Sequence, residues 1–128
     1  MTAVYPYQGS ITPPAPFVAV TFAHPDNDSR VEGVPAQVDT GAFKTVVPGR
    51  VVNSLNLVRL REMEAEGLSG AVVTLATFIV RLSITGTSDS HTLEVLASDD
   101  EPFVLLGRDV LNRYRVVLDG PNQRLEIG

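Results

Sequence analysis

The chain has 128 residues, a formal net charge of −5 and no cysteine. This length suits one domain with a single modest core, because it is close to the commonest domain size. With 44% apolar and 20% charged residues, the composition is that of a folded chain and not of a disordered one. The missing cysteines exclude disulfide frameworks, thiol nucleophiles and cysteine-bound zinc.

The arginines are scattered and form no basic cluster, so we do not expect nucleic acid as a partner. No stretch reaches the roughly 18 apolar residues of a membrane span. The first residues also lack the basic start and apolar core of a secretory signal. Absence of cysteine is compatible with a reducing cytoplasm. We therefore predict a soluble, cytoplasmic protein without a membrane partner.

The first sixteen residues include four prolines, which favour extended backbone, and they predict an N-terminal arm that is poorly ordered unless something binds it. Residues 17–128 are predicted to be a single domain. Residues 17–22 are rich in β-forming types, and residues 24–33 contain turn formers, which indicates a strand and a long hairpin loop. Residues 34–38 then predict a short apolar strand that leads to Asp39.

Further along the chain, residues 45–47 predict another strand, and Pro48 can open a short helix that reaches residue 57. Residues 60–66 have a helical composition by themselves. Gly67 and Gly70, three positions apart, favour the tip of a hairpin instead.

The second half of the chain alternates strands with one more helix. Residues 78–84 alternate with the period of a half-buried strand, and residues 90–97 and 103–107 also predict strands. Residues 108–114 suit a short helix, and residues 115–127 a hairpin that turns at 119–122. Seven or eight short strands with one or two short helices make the predicted fold class mostly β.

Asp39 ends an apolar stretch and is followed by Thr40 and Gly41. A hydroxyl residue and a conformationally free glycine can present a carboxylate on a tight turn, with backbone N–H groups nearby to orient it. An ordinary Asp-containing turn has the same three letters, so the motif by itself does not separate the two interpretations.

The context of this turn is more specific. The stretch from residue 38 reads VDTGAFKTVVP, and about sixty residues later the chain reads FVLLGRDVL. Together, in this order and with a glycine-containing hairpin between them, the two stretches resemble the retroviral-type (retropepsin-like) aspartic protease family. The resemblance covers about residues 17–127. It implies a compact closed barrel of short strands with one or two short helices and a flap hairpin.

The resemblance also implies an aspartic endopeptidase that cleaves protein or peptide substrates. Aspartic proteases use two carboxylates that share one proton. This chain has one Asp-Thr-Gly, because Asp119-Gly120 lacks the hydroxyl residue between them. The family's solution is a homodimer in which a two-fold axis brings Asp39 of each subunit together to activate a water.

Site residues follow from the resemblance in three groups. Asp39 is the implied catalytic residue, and the active-site turn and dimer grip consist of Thr40, Gly41 and Ala42. Substrate is expected at Gly41, Phe43, Lys44, Gly67, Leu68, Ser69 and Gly70. Structural support is expected from Thr45, Leu106, Gly107, Arg108 and Asp109. Neither a cofactor nor a metal is implied.

Some features depart from the viral pattern or leave alternatives open. Phe43 and Lys44 stand where viral enzymes often have acidic residues, so the adjacent subsites should differ. His24 and His91 have no ligand-spaced partner and are interpreted as solvated loop histidines. Residues 124–128 suit either a dimer strand or an ordinary intramolecular hairpin.

A different class of function also fits the sequence. A dimeric peptide-binding or assembly module could keep the same fold and turn without cleaving its ligand. The intact Asp-Thr-Gly-Ala stretch argues against that alternative. A protease domain excised from a larger polyprotein would have the same chemistry, and its proline-rich arm would then be a remnant linker.

Overall fold

The computed structural model describes residues 2–67 and 69–128. In chain order the elements within these residues are β1 (Ala3–Gln8), β2 (Ala15–Ala23), β3 (Arg30–Val38), β4 (Val46–Val47), α1 (Gly49–Leu55), β5 (Arg59–Glu66), β6 (Val72–Ile84), β7 (Ser90–Ala97), β8 (Val104–Leu106), α2 (Arg108–Leu111), β9 (Val116–Asp119) and β10 (Arg124–Ile127). The prediction of a mostly β fold with two short helices is confirmed.

The strands form one sheet that closes on itself. Its order is β5-β6-β7-β4-β8-β3-β2-β1-β10-β9, and an additional pairing of β2 with β6 turns the central strands into a ring. On β6, alternate residues point into this ring, as the period-2 pattern predicts. These are Val80, Leu82 and Ile84, all of them buried. The ring therefore encloses one continuous apolar core.

The N-terminal segment differs from its prediction. Residues 3–8 are not a poorly ordered arm, because β1 pairs with β10 from Ala3 opposite Ile127 to Pro6 opposite Arg124. The Tyr5 hydroxyl also donates a hydrogen bond of 2.7 Å to the carbonyl of Thr85. The prolines do favour extended backbone in this segment. Its partner strand, β10, lies at the other end of the chain. Local sequence contains no signal for such a distant partner.

A long antiparallel hairpin joins β5 to β6, with Glu66 paired to Val72 next to its tip. Residues 60–66, which have a helical composition, are therefore a strand, because pairing with β6 outweighs their local propensity. Gly70 has a φ of +78° at the tip, a conformation that favours glycine. The hairpin prediction is confirmed, while Leu68 lies outside the described residues.

Both helices are shorter than their predictions. Pro48 precedes α1, whose Val51, Val52 and Leu55 are buried, and a left-handed Asn56 ends it before residue 57. The second helix stops at residue 111 instead of 114. The C-terminal hairpin of β9 and β10 is confirmed as predicted. Among the described residues, no helix has the length and apolar character needed to cross a membrane.

Candidate active site

Asp39 follows the last residue of β3 and is partly exposed. Its backbone N–H donates to the carbonyl of Leu106 at 3.0 Å, so the start of the turn is attached to β8. The N–H of Gly41 donates to Asp39 Oδ1 at 3.0 Å, and the N–H of Ala42 donates to the Asp39 carbonyl at 3.2 Å. The turn thereby orients its own carboxylate.

Strand β8 lies between the two ends of this turn. It runs parallel to β3, with Leu106 opposite Val38, and antiparallel to β4, with Leu105 opposite Val46. The chain therefore leaves β3, makes the turn that contains Asp39 and returns on the other side of β8. Because β8 is flanked on both sides, the position of the turn is set by two strand pairings and not by the loop alone.

A buried hydrogen-bond network supports the turn from behind. Thr45 is 0% exposed, and its hydroxyl donates to Asp109 Oδ1 at 2.8 Å while accepting from the Gly107 N–H at 3.1 Å. The Thr45 N–H donates to Asp109 Oδ2 at 3.0 Å. Since Asp109 belongs to α2, these bonds connect the helix, β8 and the end of the turn.

Arg108 holds the outer part of the turn. Its N–H donates to the Ala42 carbonyl at 2.9 Å, and its Nη1 donates to the Thr40 carbonyl at 2.8 Å. Gly107 is required by the same close packing, because a Cβ there would lie 2.6 Å from the carbonyl carbon of Lys44. The structure thus brings the predicted support residues together around the Asp39 turn, while their part in catalysis stays a prediction.

The two residues after the turn have different surroundings. Phe43 is 46% exposed, whereas Lys44 places its Nζ 3.5 Å from Glu94 Oε1 on β7. Glu94 also accepts two hydrogen bonds from Arg61 on β5, from Nε at 2.7 Å and from Nη2 at 2.8 Å. This charge cluster, defined as Lys44, Arg61 and Glu94, joins the turn, the long hairpin and β7.

Sequence reasoning missed Glu94 and Arg61. Glu94 lay in a predicted strand, whereas Arg61 lay in a segment of helical composition, and only the pairing of β6 with both β5 and β7 brings the two side chains together. Hydrogen bonds from Arg61, then from Thr77, together with the charges of Arg61 and Lys44 lower the pKa of Glu94 to about 2. Glu94 is therefore ionised at neutral pH.

The tip of the long hairpin makes hydrogen bonds within itself. The N–H of Gly70 donates to the Gly67 carbonyl at 3.0 Å, and the Ala71 N–H approaches Ser69 Oγ at 3.4 Å. Among residues 2–67 and 69–128, no hydrogen bond joins this tip to the Asp39 turn. The contact of Gly67, Leu68, Ser69 and Gly70 with substrate stays a prediction, and Leu68 is not among the described residues.

His91 differs from its interpretation as a solvated residue. It lies in β7, is 9% exposed, and its Nε2 is 2.5 Å from the Tyr114 hydroxyl. Burial first, and then the charge of Arg113, lowers its pKa below the usual range. The interpretation was wrong because the end of α2 brings Tyr114 over β7. His24 lies in the loop after β2, where its Nδ1 accepts from the Asp26 N–H at 3.0 Å.

Comparison with known proteins gives one match to a protein family and several similar solved structures. The family described as "gag-polyprotein putative aspartyl protease" matches residues 28–113. A retropepsin-like aspartic protease from Rickettsia conorii has a similar structure, with a TM-score of 0.68, 12% identity, and coverage of 99% of this chain and 90% of that chain. Among curated protein sequences, none is similar enough to count as a relative.

Two viral proteases also have similar structures. EIAV protease, solved in complex with the inhibitor HBY-793, is 25% identical, with a TM-score of 0.52 and coverage of 77% of this chain and 86% of that chain. Simian foamy virus protease is 18% identical, with a TM-score of 0.54 and coverage of 76% and 92%. Because the family match spans more than half of the chain, including the Asp39 turn, β8 and α2, this chain belongs to the gag-polyprotein aspartyl protease family and has the retropepsin-like fold.

Proposed function

We propose that this protein is an aspartic endopeptidase that acts as a homodimer. The observation that supports this most directly is the Asp39 turn: a partly exposed carboxylate, oriented by the Gly41 N–H at 3.0 Å and held from behind by β8 and α2. Family membership supports the same assignment.

The sequence contains a single Asp-Thr-Gly, and within residues 2–67 and 69–128 we assign this role to Asp39 alone. Asp119 is followed by a glycine and is the carboxylate whose local sequence is most like that of Asp39, but it lies in the C-terminal hairpin. It accepts hydrogen bonds from the backbone N–H of Asn122 at 3.2 Å and from the Asn122 side-chain Nδ2 at 2.9 Å. It is therefore occupied in closing a turn. A second copy of the chain, related by a two-fold axis, would place another Asp39 opposite the first and complete the pair.

The two Asp39 carboxylates would share one proton, because two negative charges at such short separation cannot both be stable. The ionised one removes a proton from a water held between them, and that water attacks the carbonyl carbon of the peptide. The protonated one hydrogen-bonds the carbonyl oxygen. When the C–N bond breaks, a carboxyl group of the Asp39 pair gives a proton to the leaving amine.

An extended substrate would lie between the turn and the long hairpin. Strand-like binding uses main-chain hydrogen bonds for affinity and side-chain pockets for selectivity. Gly41 is exposed and offers its backbone to such a substrate, while the β5–β6 hairpin would close over it as a flap. The hydroxyl of Thr40 would contact the turn of the partner subunit.

The test is cleavage of an unfolded protein between about pH 4 and 7, the range around the upper pKa of known aspartic dyads. Wild type is compared with Asp39→Asn, which keeps the shape of the side chain but cannot act as a base. Asp28→Asn, on the exposed loop before β3, is the matched control. We expect wild type and the control to cleave, and Asp39→Asn to lose at least about a thousandfold in rate.

Two results would contradict this proposal. Cleavage that persists undiminished in Asp39→Asn would assign the activity to another group. Folded dimers of wild type that cut nothing would favour the peptide-binding module instead. The positions of the cuts would in addition define the side-chain pockets.

A further inference from the structure

The β5–β6 hairpin leaves the rest of the sheet at one position. Strand β6 pairs with β7 over residues 77–83, whereas residues 72–76 pair only with β5 within residues 2–67 and 69–128. Thr77 is therefore the first residue of β6 that has a strand on each side, with Arg61 opposite it on β5 and Leu96 opposite it on β7. We call Arg61 and Thr77 the base of the hairpin.

Beyond this base the hairpin is a ribbon of two strands. Two paired strands alone have little stability in water, so their direction depends on what holds them where they join the body of the protein. The Thr77 side chain is 0% exposed, and its hydroxyl donates a hydrogen bond of 3.2 Å to the Arg61 carbonyl. This bond joins the two strands of the base to each other.

Glu94 contacts this base from β7. It lies two residues before Leu96, so its side chain projects from the same face of the sheet as those of Thr77 and Arg61. The two Glu94 carboxylate oxygens accept hydrogen bonds from Arg61, from Nε at 2.7 Å and from Nη2 at 2.8 Å. A two-point contact of this kind fixes the orientation of both side chains as well as their distance.

The same carboxylate also faces the end of the Asp39 turn. Lys44 Nζ lies 3.5 Å from Glu94 Oε1, and nearby the Leu96 N–H donates to the Thr45 carbonyl at 3.0 Å. An isolated exposed ion pair contributes little to stability. Here one carboxylate contacts cations of two different segments, so its effect should fall on the relative position of those segments more than on overall stability.

We propose that Glu94 is a positioning residue, which through Arg61 and Lys44 sets the position of the β5–β6 hairpin relative to the Asp39 turn. This inference rests on the proposed function, in which the hairpin covers a substrate bound at the turn. When the contact with Arg61 is lost, the hairpin spends more time away from the turn and substrate leaves more readily. The chemical step at Asp39 does not involve Glu94 and should keep its rate.

Hydrogen exchange measures the hairpin without any substrate. In Glu94→Gln and in Arg61→Met we expect the amides of residues 62–66 and 72–76 to exchange roughly threefold faster or more, because the base is released. Residues 81–83 of the same strand pair with β7 on one side and β2 on the other. Their exchange rates should change much less.

Two further variants make this measurement specific. Arg61→Lys keeps the charge but loses the two-point contact, so its hairpin should exchange at a rate between those of Arg61→Met and wild type. Glu64→Gln makes the same change as Glu94→Gln at an exposed position of the same hairpin, and it should match wild type. Circular dichroism confirms that each variant is folded.

Steady-state kinetics give the second readout, with a peptide that spans one of the cuts found in the unfolded protein. We expect Glu94→Gln to raise KM roughly fivefold or more while kcat stays within about twofold of wild type, because bound substrate and transition state lose the same cover. A loss of folded enzyme would instead lower kcat and leave KM unchanged. Glu64→Gln should change neither constant.

The outcomes separate this inference from the proposed activity. Folded Glu94→Gln and Arg61→Met chains whose hairpin exchanges at the wild-type rate overturn the positioning role, and so does a KM that stays at the wild-type value. Equal acceleration in the hairpin and in residues 81–83 also overturns it, since that result would show a general loss of stability. In each of these cases cleavage that depends on Asp39 remains. A wild-type chain that cleaves nothing contradicts the proposed function, and hydrogen exchange then decides whether Glu94 holds the hairpin.

Discussion

The Asp39 turn and the tip of the long hairpin are held in place by different means. The turn is attached to β8 and α2 by hydrogen bonds from Thr45, Gly107 and Arg108, and the bond between the Gly107 N–H and the Thr45 hydroxyl is buried. The hairpin tip, around Gly67 and Gly70, is exposed and its hydrogen bonds lie within the hairpin. A reacting carboxylate needs a fixed position, whereas a segment that covers substrate has to open and close. The proposed chemistry therefore coincides with the region that hydrogen bonds attach to two other elements.

The sharpest test of this contrast is the addition of one methyl group in each region. Gly107→Ala places a Cβ within 3 Å of the backbone of Lys44 and Ala42, and overpacking against backbone should cost about 3 kcal/mol of unfolding free energy. Gly67→Ala meets nothing within 4 Å and should change stability by less than about 0.5 kcal/mol. Urea unfolding measures both. Equal effects of the two substitutions would contradict the difference in packing between the turn and the hairpin tip.

A smaller effect is expected when the buried network loses one hydroxyl. Thr45→Val keeps the shape of the side chain but leaves the buried Gly107 N–H without its acceptor and removes one of the two hydrogen bonds to Asp109 Oδ1, which should cost about 2 kcal/mol. Thr74→Val, on the exposed part of β6, is the matched control and should stay within about 0.5 kcal/mol of wild type. A Thr45→Val protein as stable as wild type would show that the network does not hold the turn.

The smallest effect concerns the charge cluster of Lys44, Arg61 and Glu94, which connects the two regions. The pKa of Glu94 is about 2 in the folded protein and near 4.5 in the unfolded chain. Because the folded pKa is the lower one, the stabilisation is complete above pH 4.5 and is lost as the pH falls toward 2.

Glu94→Gln should therefore be less stable than wild type at neutral pH, with a difference that shrinks between about pH 5 and 2. Unfolding by urea at a series of pH values measures this difference. Glu64→Gln, an exposed residue of β5, should show no such pH-dependent difference. A Glu94→Gln difference that is independent of pH would mean that the cluster acts through packing and not through charge.

Several elements could be predicted from the sequence because their signals are local. The alternation over residues 78–84 identified β6, Gly67 and Gly70 identified the hairpin tip, and the turn formers at 119–122 identified the C-terminal hairpin. The Asp39 turn was recognised from the order of two short stretches, which the family match now supports. Each single pattern lies within about a dozen residues of chain, although the two stretches that identify the Asp39 turn are about sixty residues apart.

Other features depended on residues far apart in the chain. The pairing of β1 with β10, the burial of His91 against Tyr114 and the meeting of Arg61 with Glu94 have no local signature. Residues 60–66 are a further example. Their composition favours a helix, but they form a strand because they pair with β6.

By itself, the sequence determined the mostly β fold class and the single Asp-Thr-Gly stretch, while the need for a second carboxylate rests on the proposed function. Tertiary structure decided how that turn is held, because the parallel pairing of β3 with β8 and the bonds between Thr45 and Asp109 join positions more than sixty residues apart. It also decided that β5 and β9 lie at the two edges of the sheet. Periodicity and turn chemistry act over a few residues, whereas pairing partners are selected by the packing of the whole core.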